Sequence, residues 1–328
     1  MNPSPSPEER IWSVISHLSA LVFGIGLVLP IIGWSEQRNK SKYATFQCLQ
    51  AFGYQSLGYT IWLLSYLVVA ILFMVLVVLE SFLIERNGSS NGTLSAVGGS
   101  LFLFFFFGLF AAYMLLPVIA AIACAFGKNF RYPIMGTRLA RYLGYDLGPG
   151  TDETAPLNDE YQERWVAAMG HFSVIILFWG LLAPLTTWIL QRRQNNFLKF
   201  QSIQTTMYQA IVNVIYIGAT ILSFAGMIPL FLWAVFQGNS SSNSAFFVLG
   251  PILFLLLLFI TFLIMLIIPL FHILGQWAGY RVLKGDNYRY PLIGKMVEKR
   301  LAKSYGVQEL APGVKSSGEP LDSTKENS

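Results

Sequence analysis

Apolar residues fill six long stretches of the chain, at about 13–34, 46–84, 98–126, 167–190, 200–236 and 245–283. Polar, charged or Gly/Pro-rich residues separate them. "SLFLFFFFGLFAAYMLLPVIAAIACAFG" from Ser100 carries no charge, and neither does "FFVLGPILFLLLLFITFLIMLIIPLFHILGQWAG" from Phe246. A hydrocarbon core ~30 Å thick is crossed by about 20 apolar residues as a helix. Both stretches exceed that length, so the pattern predicts an all-α, multi-pass integral membrane protein. Composition agrees. Of 328 residues, 54% are hydrophobic and 12% charged, whereas soluble domains carry about a quarter charged residues.

The polar positions repeat. With a constant shift of 154 residues, Glu9 aligns with Glu163, and no gap is needed as far as Gln55 and Gln209. Identities include Arg10/Arg164, His17/His171, Ser19/Ser173, Gly26/Gly180, Pro30/Pro184, Trp34/Trp188 and Arg38/Arg192. Gln47, Gln50, Tyr54 and Gln55 match Gln201, Gln204, Tyr208 and Gln209. "GKNFRYPIMG" from Gly127 echoes "GDNYRYPLIG" from Gly285, so Arg131, Tyr132 and Pro133 match Arg289, Tyr290 and Pro291. The period is far longer than that of a solenoid. The chain therefore reads as two fused copies of one membrane domain, 9–145 and 162–303. A Gly/Pro/acidic linker lies between them at 146–161. Residues 1–8 and the Ser/Gly/Lys/Glu-rich tail 304–328 read as disordered.

Glu-Arg, then His-(Leu/Phe)-Ser, a Pro and a Trp, a Phe/Gln helix and a closing Arg-Tyr-Pro resemble the uncharacterised Tic20-like membrane domain of prokaryotes. The resemblance covers roughly 8–145 and 162–303. It implies a prokaryotic cell membrane as the location. Through Tic20, a plastid inner-envelope protein linked to import, it implies a connection with protein translocation. The family's domain usually occurs singly, and the duplication departs from that.

Each repeat offers three apolar segments. If all six cross, Lys and Arg divide 8 to 14 between the two sides. If the first segment of each repeat enters and returns, every Lys and Arg except Arg86 falls on one side. The positive-inside rule favours the second arrangement, with the basic loops and C-terminus cytoplasmic. Pro30 with Gly24 and Gly26, and Pro184 with Gly180, interrupt these first segments and permit the reversal. The outer loops then carry the sequons at Asn87, Asn91 and Asn239. The first ten residues lack the pattern of a cleaved signal peptide.

The four polar residues of each Phe/Gln helix fall within an arc of roughly 140° at 100° per residue. Glutamine does not titrate, but it offers one acceptor and two donors. Its repeated face admits three readings: hydrogen-bonded glue between the two long helices, the lining of a pathway between the repeats, or a headgroup-level stretch that needs no partner. His17 and His171 are the repeated ionisable groups inside apolar segments. No carboxylate recurs beside them, so each is expected to be a neutral imidazole capping backbone groups freed by the nearby break. A basic amphipathic helix is expected after each Arg-Tyr-Pro, with Met135, Leu139 and Leu143 opposite Arg138 and Arg141.

The net charge of +5 comes from basic residues flanking apolar segments, where anionic lipids attract them. The bilayer, its anionic lipids and other membrane proteins are the expected partners, and nucleic acid is not. Cys48 and Cys124 are too few for a disulfide framework and belong to no Cys/His cluster. No P-loop, H-E-x-x-H, G-x-S-x-G or dinucleotide loop occurs. Neither a cofactor, a metal nor a catalytic residue is expected. A non-enzymatic scaffold or accessory subunit fits these features, and a channel for a neutral solute or peptide is the alternative. Cysteine labelling is expected to find Lys40, Arg193, the 144–162 linker and the C-terminus on one side and 87–96 and 239–244 on the other. Labels near Arg38 and Arg193 appearing on opposite sides would establish six crossings.

Overall fold

The computed structural model describes residues 4–87, 93–145, 157–191, 195–237 and 245–304. The sequon positions Asn91 and Asn239, most of the linker, Arg192, Arg193 and the tail from 305 lie outside the described residues. Repeat 1 runs α1 (Pro7–Leu18), a 3-10 stretch (Ser19–Leu27), α2 (Val28–Gln37), α3 (Lys42–Asn87), α4 (Thr93–Ala125) and α5 (Met135–Leu143). Repeat 2 follows the same order: α6 (Asp159–Phe172), a 3-10 stretch (Ser173–Leu181), α7 (Leu182–Gln191), α8 (Asn196–Gln237), α9 (Ala245–Leu283) and α10 (Ile293–Ser304).

Local chemistry sets the starts and stops. Ser6 and Glu9 form a reciprocal capping box ahead of α1, with Pro7 in its first turn. The Asn158 side chain accepts from Tyr161 N at 3.1 Å and caps α6. Gly144 ends α5 in the left-handed conformation, φ 68°.

Six helical stretches are long and apolar enough to cross a membrane by length and composition. Two of them, Pro7–Gln37 and Asp159–Gln191, are folded back on themselves. Glu8 Oε1, at the start of α1, accepts from Gln37 Nε2, at the end of α2, at 3.0 Å. A continuous helix would hold residues 8 and 37 about 44 Å apart at 1.5 Å per residue. The arms α1 and α2 have 12 and 10 residues, about 18 and 15 Å, roughly half a hydrocarbon core. The first segment of each repeat is thus a helical hairpin. The four long helices α3, α4, α8 and α9 carry most of the exposed large apolar side chains, from Ile61 to Ile84 on α3 for example.

The reversal does not come from proline. It falls at Val22–Phe23 and Ile176–Leu177, where Phe23 and Leu177 adopt φ 50° and 49°. Pro30 and Pro184 lie early in the returning α-helix, after a turn of 3-10 helix, and in repeat 2 the Ser173 hydroxyl donates to Gly180 O, the carbonyl four residues before Pro184. Gly26 is required by close approach. A Cβ there would lie 1.9 Å from the Ser19 carbonyl oxygen, and one on Gly180 would lie 2.0 Å from that of Ser173.

At 46 residues, α3 is about 69 Å long, well beyond the 40–45 Å of a bilayer with its headgroups. Its inner part, with Phe46, Leu49 and Phe52, is buried in a core shared with Leu27, Ile31, Trp34, Leu139 and Leu143. The amphipathic helix α5 closes the repeat and presents Leu139, Ala140 and Leu143 to that protein core. Val297 of α10 packs with Tyr208 and Tyr290 in the equivalent cluster of repeat 2.

The repeats meet along their bases. Trp165 of α6 donates Nε1–H to Leu49 O of α3 at 3.0 Å, over Gly53, where a Cβ would lie 2.4 Å from its ring. Trp34 Nε1 donates to Gln162 Oε1 at 2.9 Å. Arg38 reaches Glu163 at 3.0 Å and Asp159 at 3.2 Å, and Gln191 donates to Ser35 at 2.9 Å.

Replacing Gly26 or Gly180 with Ala is expected to cost ~1–3 kcal/mol through forced backbone movement. Ala at Gly108 or Gly218, where a Cβ meets nothing within 4 Å, is expected to be neutral or slightly stabilising. Thermal unfolding of the four variants in detergent checks the contrast.

Candidate functional site

The repeated polar residues come together inside each repeat. In repeat 1 the hairpin brings His17 against α3. His17 Nε2 lies 3.0 Å from Gln47 Oε1 and its Nδ1 3.0 Å from Tyr132 Oη. Gln47 Nε2 donates to Asn129 Oδ1 at 2.9 Å and to Phe130 O at 3.1 Å. Gln50 Nε2 donates to Gln47 Oε1 at 3.2 Å and to Phe130 O at 3.0 Å, and Gln50 Oε1 accepts from Tyr132 N at 2.9 Å. Tyr54 stacks on Tyr132 with ring centroids 4.1 Å apart and donates to Tyr113 O at 2.9 Å.

Repeat 2 repeats each link. His171 Nε2 lies 3.0 Å from Gln201 Oε1 and Nδ1 2.9 Å from Tyr290 Oη. Gln201 donates to Asn287 at 2.7 Å. Gln204 donates to Gln201 Oε1 and Tyr288 O at 2.6 and 2.7 Å and accepts from Tyr290 N at 3.2 Å. Tyr208 stacks on Tyr290 at 4.0 Å. One neighbour is new: Thr205 Oγ1, 3.0 Å from His171 Nδ1, stands where repeat 1 has Ala51.

The bonding assigns the protons. The Gln47 amide nitrogen faces two acceptors, so its oxygen receives the His17 Nε2–H. His17 Nδ1 is then the acceptor, and the Tyr132 hydroxyl donates to it. Burial, with Tyr54 and Cys124 nearby, holds the Tyr132 hydroxyl well above its ordinary titration range, and burial with Tyr208 and Tyr288 nearby does the same for Tyr290. Both phenols therefore keep the proton they donate. Among the described residues no carboxylate is bonded to either imidazole, and an unpaired imidazolium at such depth would be costly. His17 and His171 are neutral links between side chains.

The histidines do not cap the hairpin break. Gln55 and Gln209 do. Gln55 Nε2 donates to Ser16 O at 3.2 Å and Ser19 Oγ at 3.0 Å, and Ser19 Oγ donates to Ser16 O at 2.8 Å. Gln209 Nε2 donates to Gly170 O at 2.8 Å, and Ser173 Oγ bridges Gly170 O and Gly180 O at 2.7 and 2.8 Å.

Nor do the glutamines join the two long helices or line the seam between the repeats. Gln47, Gln50, Gln201 and Gln204 are fully buried, and the bonds described for them stay within their own repeat. The repeats are joined instead by Trp34, Arg38 and Trp165, residues that the repeat pattern did not single out for this role. Asn129 and Asn287 were also missed, although their matching place before each Arg-Tyr-Pro was a usable signal.

At the closing turn the prolines leave their carbonyls free to accept. Met135 N donates to Pro133 O at 2.6 Å and Ile293 N to Pro291 O at 2.7 Å. The turn passes through Ile134 and Leu292 at φ 63° and 64°. Arg131 lies over the Tyr145 ring at 5.9 Å, and Arg289 pairs with Glu298 at 3.1 Å on the surface. Neither arginine joins the histidine cluster. Among the described residues no three His, Cys, Asp or Glu side chains gather in a metal-holding group.

Fold and site thus define a class: a duplicated helical membrane protein in which each copy is locked by one buried His–Gln–Tyr cluster. The chain belongs to the magnetosome magnetite crystal formation protein family, whose model matches it twice, at residues 8–139 and 162–297. This overturns the Tic20-like resemblance, because the family match lies elsewhere while the tandem duplication stands. No curated protein and no solved structure matched the chain.

Replacing Gln50 with Leu leaves Tyr132 N–H without its acceptor, and replacing Gln204 does the same to Tyr290 N–H. Each change is expected to cost about 1–3 kcal/mol. The two glutamines share no partner, so the double variant should show the sum within a few tenths of a kcal/mol. Unfolding of the wild type, both singles and the double in detergent checks this, and coupling between them would contradict two separate clusters.

Proposed function

We propose that the chain is a non-enzymatic architectural protein of the magnetosome membrane. Its two locked repeats form a rigid base beneath four membrane-crossing helices. The observation that carries this is the closure of the polar clusters. His17, Gln47, Gln50 and Tyr132, with their counterparts in repeat 2, are buried and bonded to one another and to the closing turn. A pathway would need such side chains open to a lumen, and catalysis would need a group free to act on substrate. The family is named for magnetite crystal formation, and a rigid membrane protein serves that setting by shaping or organising the enclosing membrane. The link to protein translocation rested on the Tic20-like resemblance and has lost that support.

In this proposal the basic ends of both repeats face the cytoplasm. Tyr43 donates to Lys128 O at 3.0 Å, so the start of α3 and the end of α4 lie together. Arg38 reaches Asp159 and Glu163 of repeat 2, which sets the two bases side by side. The bilayer and its anionic lipids are the partners this surface suits.

The test is complementation in a magnetosome-forming cell lacking the chain. Double replacement of His17 and His171 by Gln keeps a hydrogen-bonding side chain and removes titration. Crystal size and number per folded protein in the membrane are expected to match the wild type. Loss of crystals at wild-type protein abundance would assign the histidines a chemical role and overturn the proposal.

A further inference from the structure

The two hairpins form one tier. Their reversals meet, since a Cβ on Gly24 would lie 2.1 Å from Trp179 Cβ. Residues 11–35 and 165–191 contain no Asp, Glu, Lys or Arg. Glu8, Glu9, Arg10 and Arg38 stand at the mouth of the first hairpin, and Glu160, Glu163 and Arg164 at the mouth of the second.

This tier lies at one face of the hydrocarbon core. Phe23 at the first tip packs against Tyr59 of α3 and Phe110 of α4, with ring centroids 6.3 Å apart in each case. Beyond that level, exposed apolar side chains on α3 run from Ile61 to Leu79, about 27 Å. α4 runs on from Phe110 to Thr93, about 26 Å. That section alone nearly fills a core ~30 Å thick. The hairpins therefore sit at one headgroup boundary, the side that the architectural reading assigns to the cytoplasm.

At this boundary the four long helices are joined by α1, α2, α6 and α7. A helix 10–12 Å across covers about 80–110 Å², so the four arms add about 300–450 Å² to one leaflet and nothing to the other. Their outer surface is apolar: Ile11, Ile15, Leu18, Val22, Phe178 and Trp179 are 38–57% exposed. The closing turns, held to Gln50 and Gln204 through Tyr132 N and Tyr290 N, add Ile134 and Leu292, 73% and 79% exposed. Both have left-handed backbone, φ 63° and 64°, which branched residues rarely adopt. Water would favour glycine or asparagine there, whereas acyl chains suit an apolar side chain. Acyl chains reach this level where the leaflet opens around the base. Convex curvature opens it in the same way, which is why interfacial apolar helices are sensitive to curvature.

We infer that the chain is a wedge that favours and stabilises bilayer curved convex on the hairpin side, its ligand being the lipid of that leaflet. With the base toward the cytoplasm, an internal vesicle presents this curvature and a flat cell membrane does not, so the chain concentrates on vesicles. This deepens the architectural reading and rests on it for the orientation in the cell.

The test uses purified full-length chain labelled with a fluorophore at Lys40→Cys, the native Cys48 and Cys124 being buried. It is reconstituted into small and large unilamellar vesicles of phosphatidylethanolamine and phosphatidylglycerol. Single-vesicle fluorescence reads chain per lipid area, and a membrane-impermeant quencher reads how many bases face outward. The expected result is a several-fold higher density on small vesicles, with bases outward. The tip pair Val22→Ser with Phe178→Ser and the turn pair Ile134→Gly with Leu292→Gly are each expected to lose most of that enrichment. Thermal unfolding in detergent should be unchanged for the first pair and unchanged or raised for the second, whose glycines relieve the turn. Equal density on both vesicle sizes, bases facing inward on small vesicles, or full enrichment of both variant pairs would overturn the wedge. The assay depends neither on crystal growth nor on which side the base takes in the cell, so its failure leaves the complementation test of the architectural reading standing, and the converse holds.

Discussion

Wherever a helix breaks in apolar surroundings, the peptide groups it releases must find partners, because neither lipid nor a dry core supplies them. Two such breaks in each repeat are the hairpin reversal and the closing turn after α4 or α9. One face of one long helix answers both. From α3, Gln55 takes the carbonyl left by the hairpin break, while Gln47 and Gln50 take the Phe130 carbonyl and the Tyr132 N–H of the turn. Glutamine suits this work because it is long, donates and accepts at once, and brings no charge that would have to be desolvated. His17 and Tyr132 then tie the hairpin to the turn across the same face.

Two such units joined by Trp34, Arg38 and Trp165 make a base whose polar content is directed inward. The second copy differs where the seam demands it. Its Trp165 stands for Ile11, and it accepts a methionine where repeat 1 needs Gly53. The lock itself is nearly unchanged apart from Thr205 beside His171. The clusters are therefore constrained by the fold of each repeat, while the flanking apolar faces diverged with their surroundings.

The short motifs that resembled the Tic20-like domain are largely the residues of this lock and its turns: the histidine before the break, the Phe/Gln helix and Arg-Tyr-Pro. They solve a problem of backbone satisfaction in a small membrane domain. Such a solution specifies architecture without specifying what the architecture is used for, so the motifs conveyed a fold and misdirected the family.

What the sequence by itself determined follows from short-range rules. The uncharged stretches set membrane crossing, the constant shift set the duplication, and the bias of Lys and Arg favoured a returning first segment in each repeat, four crossings rather than six. The repeated His, Gln and Tyr positions marked where polar groups had to be satisfied. Their partners were decided only by the tertiary structure, because a hydrogen bond depends on which backbone arrives opposite the side chain. The three-way choice for the glutamines, the site of the reversal at Phe23 rather than Pro30, and the one-sided packing of Trp165 on Gly53 all turn on distances of a few ångströms between segments 7 to 116 residues apart. Helical periodicity fixes which face a residue occupies, but not which surface comes to meet it.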